Sequence, residues 1–185
     1  MIAKITRGKN PGDIGAYLHG PGKANEHTYT AAGQRVSGGV VVGSNIGMEG
    51  QTDPRLWAGE LRKALNTRPE IKNPVWHASL RNTATDRTLN NDQWADIGQS
   101  FAEDMGYAKH PWVMVRHEDD HVHIVVNRTG FNGQFSIIRE CTPPLCAGNS
   151  LNSSSTQNRA KPKVRFHGEK WAAHSSNSAQ SVNSD

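Results

Sequence analysis

A chain of 185 residues has room for one domain with a full hydrophobic core and is cramped for two. Its 21 Lys and Arg against 17 Asp and Glu leave a formal charge of +4, a modest excess that suits a polyanionic partner without requiring one. Two cysteines, Cys141 and Cys146, do not make a disulfide framework, no apolar run approaches the roughly 18 residues of a membrane span, and the N-terminus is too polar for a secretory signal; a cytoplasmic location without a membrane segment is expected.

In chain order, Ile2 to Arg7 reads as a strand. Asn10-Pro11 supplies a cap followed by proline at the first helical position, and Gly20 is the stop, so a short helix carries Tyr17 in its last turn. Val40-Val41-Val42 is a buried strand. Asp53-Pro54 repeats the cap signal ahead of the apolar stripe Leu56, Trp57, Leu61, Ala64 and Leu65. Val75 to Leu80 alternates as a strand does. Asn90 or Asn91 opens a third helix with Trp94, Ile97, Phe101 and Met105 on one face and Gly106 at its end. Trp112 to His117 and His121 to Asn127 are adjacent strands, and Phe131 to Ile138, with Asn132-Gly133, reads as a further short strand or hairpin. This order predicts an α/β sandwich of the α+β kind, with a largely antiparallel central sheet flanked by helices.

The composition changes at about Arg139. Residues 149–158 and 175–185 are nearly all small and polar, and the stretch between them carries Arg159, Lys161, Lys163 and Arg165 ahead of Phe166 and Trp171. Two units follow: a folded domain over 1–138, and a polar low-complexity tail over 139–185 that cannot bury enough apolar surface to offset its ordering entropy, with a basic patch able to touch nucleic acid.

The chemistry concentrates in His117-Glu118-Asp119-Asp120-His121-Val122-His123. Strand residues two apart share a face, so His121 and His123 form half of a metal site while Val122 anchors the strand in the core. The third ligand depends on the turn. A two-residue turn at Asp119-Asp120 turns His117 to the other face, leaving His77, Glu26 or His27 to complete the site; a three-residue turn over 118–120 sets His117 opposite His121. The acids of the turn are placed to orient imidazole N–H groups.

His121-Val122-His123 matches the His-hydrophobe-His signature of the HUH endonucleases, and Val115-Arg116-His117 through Val126-Asn127-Arg128 resembles the third motif of plasmid mobilisation relaxases. Ile2-Ala3-Lys4, Ala16-Tyr17-Leu18, the run Gly20 to His27, Trp76 to Arg81 and Met105-Gly106-Tyr107 resemble the same family, most nearly its MOBP/MOBQ kind, over residues 1–138. The resemblance implies a metal-dependent enzyme that nicks and rejoins one DNA strand at a plasmid transfer origin through a 5′-phosphotyrosyl intermediate. It also implies a divalent ion (Mg²⁺ or Mn²⁺) on His117, His121 and His123, single-stranded origin DNA as partner, and accessory mobilisation proteins.

Tyr17 matches the position of the family's nucleophile. Tyr29, in a polar loop, is second, and Tyr107 at a helix end reads as structural. A phenol with an ordinary pKa of about 10 is a weak nucleophile, so a base or metal must assist it; Glu26 and His27 are the candidate proton acceptors. His19 and His27 are outside candidates as histidine nucleophiles. Ser79, Arg81, Asn127 and Arg128 are candidate phosphate contacts. No tyrosine follows His123, which is the relaxase order and not that of replication initiators. Two departures accompany the resemblance: the interval from His117 to His121 is shorter than in many relaxases, and Thr142-Pro143-Pro144 with a low-complexity tail stands where the family continues into another helix. An inactive or truncated relaxase relic that only binds DNA is the alternative expectation.

Overall fold

The computed structural model describes residues 2–23, 26–136, 138 and 163–165. Three helices form where caps and apolar stripes coincide. In α1 (Pro11–His19), Asn10 Oδ1 accepts from Gly12 N–H at 3.0 Å; in α2 (Pro54–Leu65), Asp53 Oδ1 accepts from Arg55 N–H at 2.9 Å. Helix α3 (Asn91–Met105) opens with a full capping box between Asn90 and Gln93 and closes on Gly106, whose φ of 78° is the left-handed turn that glycine adopts freely.

The strands are β1 (Ile2–Gly8), β2 (Thr28–Ala31), β3 (Gln34–Ser37), β4 (Val40–Ser44), β5 (Val75–Arg81), β6 (Trp112–Arg116), β7 (His121–Asn127) and β8 (Lys163–Arg165). Among the described residues they form a sheet in the order β4-β6-β7-β5-β1-β8 with every pairing antiparallel, and a separate β2–β3 ribbon. The α+β architecture expected from the sequence is therefore the architecture found.

Alternation along the strands sorts the core onto two faces. Trp76, Ala78 and Leu80 of β5, Trp112 and Met114 of β6, and Val122, Ile124 and Val126 of β7 pack with Trp94 and Phe101 of α3. Val75, Val113, Val115 and Val125 face the other way, against Leu18 of α1 and Trp57 and Leu61 of α2. By the same alternation His77, His121 and His123 lie on the face that carries α1. Helices α1 and α2 approach closely because Gly15 has no side chain: a Cβ there would lie 2.9 Å from Pro54 Cβ and 3.1 Å from the Trp57 ring. Trp57 Nε1–H donates to His19 Nε2 at 3.0 Å, which ties the end of α1 to α2.

One expectation is corrected, and two segments are defined more closely. Thr28–Ser37, including Tyr29, is not a polar loop but a hairpin whose two turn residues, Ala32 and Gly33, have φ of 49° and 78°. Two positive-φ residues define the turn that matches strand twist, but Ala-Gly is a weak signal for it beside Asn-Gly. Phe131–Ile138, read as a short strand or hairpin, makes a tight turn at Gly133 closed by one antiparallel bridge, Thr129 to Phe135, with no longer strand among its described residues. Finally, Lys163–Arg165 from the segment read as tail pairs antiparallel with Ile2–Lys4 at the sheet edge. The cysteines and the rest of 139–185 lie outside the described residues.

Candidate metal centre and nucleophile

The β6–β7 register decides the third histidine. Val115 pairs with His123 and Arg116 with Val122. Continuing that register sets His117 opposite His121 across the three-residue turn Glu118–Asp120, so all three imidazoles share one face. Their ring centroids are 4.7 Å (His117–His121), 4.7 Å (His117–His123) and 5.2 Å (His121–His123) apart, and one nitrogen of each lies within 4.8 Å of the others.

Arg116, behind the sheet, holds the turn. Its guanidinium is buried, donates to Asn91 Oδ1 of α3 at 2.7 Å and to Glu118 O at 3.3 Å, and lies over the Tyr29 ring. Asp119 points away from the histidines and accepts from Thr30 N–H at 2.6 Å and from Arg35, which clamps the ribbon to the turn. Asp120 Oδ1 is 2.7 Å from His121 Nδ1 and Glu118 Oε2 is 3.4 Å from the same atom. Asp120 thus orients the His121 imidazole, Glu118 stands beside it, and Asp119 organises the fold.

The imidazoles suit a cation. Both ring nitrogens of His117 are buried and have no hydrogen-bond partner among the described residues, a costly state for polar atoms unless a ligand completes them. Burial, with His121 and His27 adding to it, pushes the His117 pKa down to about 3, and burial followed by the neighbouring His77 holds His123 well below the usual histidine range. Both are therefore neutral at pH 7 and offer lone pairs, the form in which histidine binds metal.

Tyr17 stands over this group. The residue is 55% exposed, and its ring centroid lies 5.1 Å from His27, 6.0 Å from His117 and 6.2 Å from His123, edge-on to each. His27 is buried, 4.2 Å between centroids from His117, and its Nδ1–H donates to Gly20 O at 3.0 Å. With the proton held on Nδ1, Nε2 is the atom placed to accept another. Its seat is Gly22, where a Cβ would come within 2.7 Å of the His27 ring. The adjacent Glu26 is exposed and accepts from Lys23 N–H at 3.3 Å.

The remaining candidates fall elsewhere. Tyr107 is fully buried in the α3 core, where burial pushes its phenol well above the usual range, and Tyr29 is buried beneath Arg116. Asn127, at the far end of β7 from His121, donates to Leu61 O at 2.7 Å and accepts from Thr129 N–H; Arg128 donates to Asn73 O at 3.0 Å and lies over Phe135. These are packing roles. Ser79 and Arg81 are on the histidine face, with Arg81 ion-paired to Asp120. The contacts of Arg116 with Asn91 and of Thr6 with His77 carried no signal in the sequence, because those partners are distant in the chain.

Residues 29–139 match a family model described as "Relaxase: MobA/VirD2-like, nuclease domain"; the matched stretch contains all three hairpin histidines and begins after Tyr17 and His27. No curated protein and no solved structure matches the chain. A match over more than half of the chain, spread across the antiparallel sheet and the histidine hairpin, means that the chain belongs to the MobA/VirD2-like relaxase nuclease family.

Proposed function

We propose that this protein nicks and rejoins one DNA strand at a plasmid transfer origin, with Tyr17 as nucleophile, His27 as its proton acceptor, and His117, His121 and His123 as ligands of a divalent ion. The observation that carries this reading is the exposed Tyr17 ring standing over His27, His117 and His123. Tyr17 comes from α1, His27 from a loop, His117 from the turn just after β6, and His123 from β7.

In the reaction, the Tyr17 oxygen bonds to the scissile phosphorus while the bond from phosphorus to the 3′ oxygen breaks. The phenolic proton passes to His27 Nε2 and is returned to the leaving 3′ oxygen, giving a free 3′-hydroxyl and a 5′-phosphotyrosyl link. Rejoining is the reverse, with the 3′-hydroxyl attacking, so the phosphodiester energy is kept and no nucleotide is consumed. When bound, a divalent ion withdraws charge from the phosphate oxygens. Mg²⁺ and Mn²⁺ are the ions to try first, and a donor set of three imidazoles also suits later first-row ions. Lys4 and Ser79, cross-strand partners on the histidine face, are placed to contact flanking phosphates, with Glu26 as the alternative proton acceptor. The polynucleotide partner is single-stranded origin DNA, delivered with accessory mobilisation proteins.

The test is incubation of the full chain with origin oligonucleotides and Mg²⁺ or Mn²⁺. A denaturant-resistant adduct is expected, lost in Tyr17→Phe while DNA binding persists. No adduct from the wild-type chain with any ion on cognate DNA would sink the nicking reading and leave a DNA-binding module.

A further inference from the structure

Each histidine of the cluster must present one lone pair, and the partner of its other nitrogen decides which. His121 has Asp120 and His27 has the Gly20 carbonyl. Among the described residues His123 has neither carboxylate nor carbonyl: its Nδ1 lies 2.8 Å from Nε2 of another histidine, His77. The two rings are inclined by only 23°, and their 5.0 Å centroid separation across a 2.8 Å contact requires the two nitrogens to face one another along the line of centres. This is an in-plane N–H···N hydrogen bond, for which one nitrogen carries the proton and the other must not.

The strand beyond His77 settles which. Thr6, its cross-strand partner on β1, places Oγ1 3.2 Å from His77 Nδ1 and 3.4 Å from the His77 carbonyl oxygen. A carbonyl can only accept, so the arrangement that satisfies every contact has the Thr6 hydroxyl donating to it. Thr6 Oγ1 then accepts from His77 Nδ1–H, and His77 Nε2 is left as an acceptor. His123 must therefore donate through Nδ1–H, which leaves the lone pair on its Nε2.

We infer that His77, held by Thr6, is a positioning residue that fixes His123 in the Nδ1–H tautomer and so reserves its Nε2 for the divalent ion. The inference rests on the metal-site reading above and replaces the sequence-based role of His77 as a spare ligand, since its Nε2 is already occupied by His123. Carboxylates and carbonyls are the usual groups behind a metal-bound histidine. A neutral imidazole does the same work without adding negative charge where the phosphate must sit.

Two readouts test it on the full chain. In metal-free protein, long-range ¹H–¹⁵N spectra are expected to show His123 with a protonated Nδ1 and a bare Nε2. In His77→Leu the two tautomers should mix, and Mn²⁺ or Co²⁺ affinity measured by calorimetry should fall about 10- to 100-fold. His77→Gln, whose amide oxygen can accept from His123 Nδ1–H, should recover most of that affinity; circular dichroism confirms that both variants fold. A protonated Nε2 on His123 in the wild-type protein overturns the assignment, as does wild-type metal affinity in His77→Leu. Because the tautomer is read without metal, it decides the role of His77 even if the wild-type chain binds no ion, a result that would sink the metal reading alone.

Discussion

At the scale of single residues, small groups set the geometry of large ones. Gly22 has a φ of 69°, a conformation that other residues adopt at a cost, and a Cβ there would overlap the His27 ring. Gly22→Ala is therefore expected to cost about 1–2 kcal/mol. It should also displace His27 from Tyr17, so that adduct formation falls by more than the stability loss explains. Comparing adduct yield with urea midpoints checks this; unchanged yield would show that His27 does not serve Tyr17. Tyr17 itself illustrates what residue type cannot show. Three tyrosines are available, and burial separates them: Tyr29 and Tyr107 are inside the core, while Tyr17 is exposed over the histidines.

At the scale of elements, α1 carries the nucleophile and α2 holds α1 in place. The contact depends on Gly15, two residues before Tyr17, against Pro54 and Trp57. Gly15→Val is expected to force the helices apart, with a loss of about 1–3 kcal/mol typical of overpacking. Because Tyr17 moves with its helix, reactivity should drop even where the variant is folded; denaturant midpoints and adduct formation measured together check it. The helices were legible because their caps are local: Asn10, Asp53 and Asn90 each accept a hydrogen bond from a backbone N–H two or three residues on. The β2–β3 hairpin was not, because its Ala32-Gly33 turn is sequence-poor and its docking partner, Asp119, lies 89 residues after Thr30.

At the scale of the whole molecule, Asp119 joins the ribbon to the turn that carries two of the histidines. Its carboxylate takes the Thr30 N–H and the Arg35 guanidinium, and Arg116 approaches it from the core side at 3.4 Å. Asp119→Ala is expected to loosen the ribbon while leaving the central strands intact. Hydrogen exchange should then accelerate across residues 28–37 and stay slow in β5 and β7. Equal acceleration in both would mean that the ribbon and the sheet unfold as one unit. Among the described residues no helix is long and apolar enough to cross a membrane, in keeping with composition.

The sequence by itself determined the element order, the two-face alternation that puts His121 and His123 together, and the family resemblance that the match over 29–139 bears out. These depend on local propensity and on the period of a strand, both written in consecutive residues. Whether His117 joins the other two depended on the parity of a turn, since one residue more or less of register reverses the face. That was decided only in three dimensions, with Arg116 bonding the turn from α3's side of the sheet and Asp119 bonding it to the ribbon. The meeting of Tyr17 with His27, and of Thr6 with His77 and His123, likewise joins residues far apart in the chain, so no spacing could announce it.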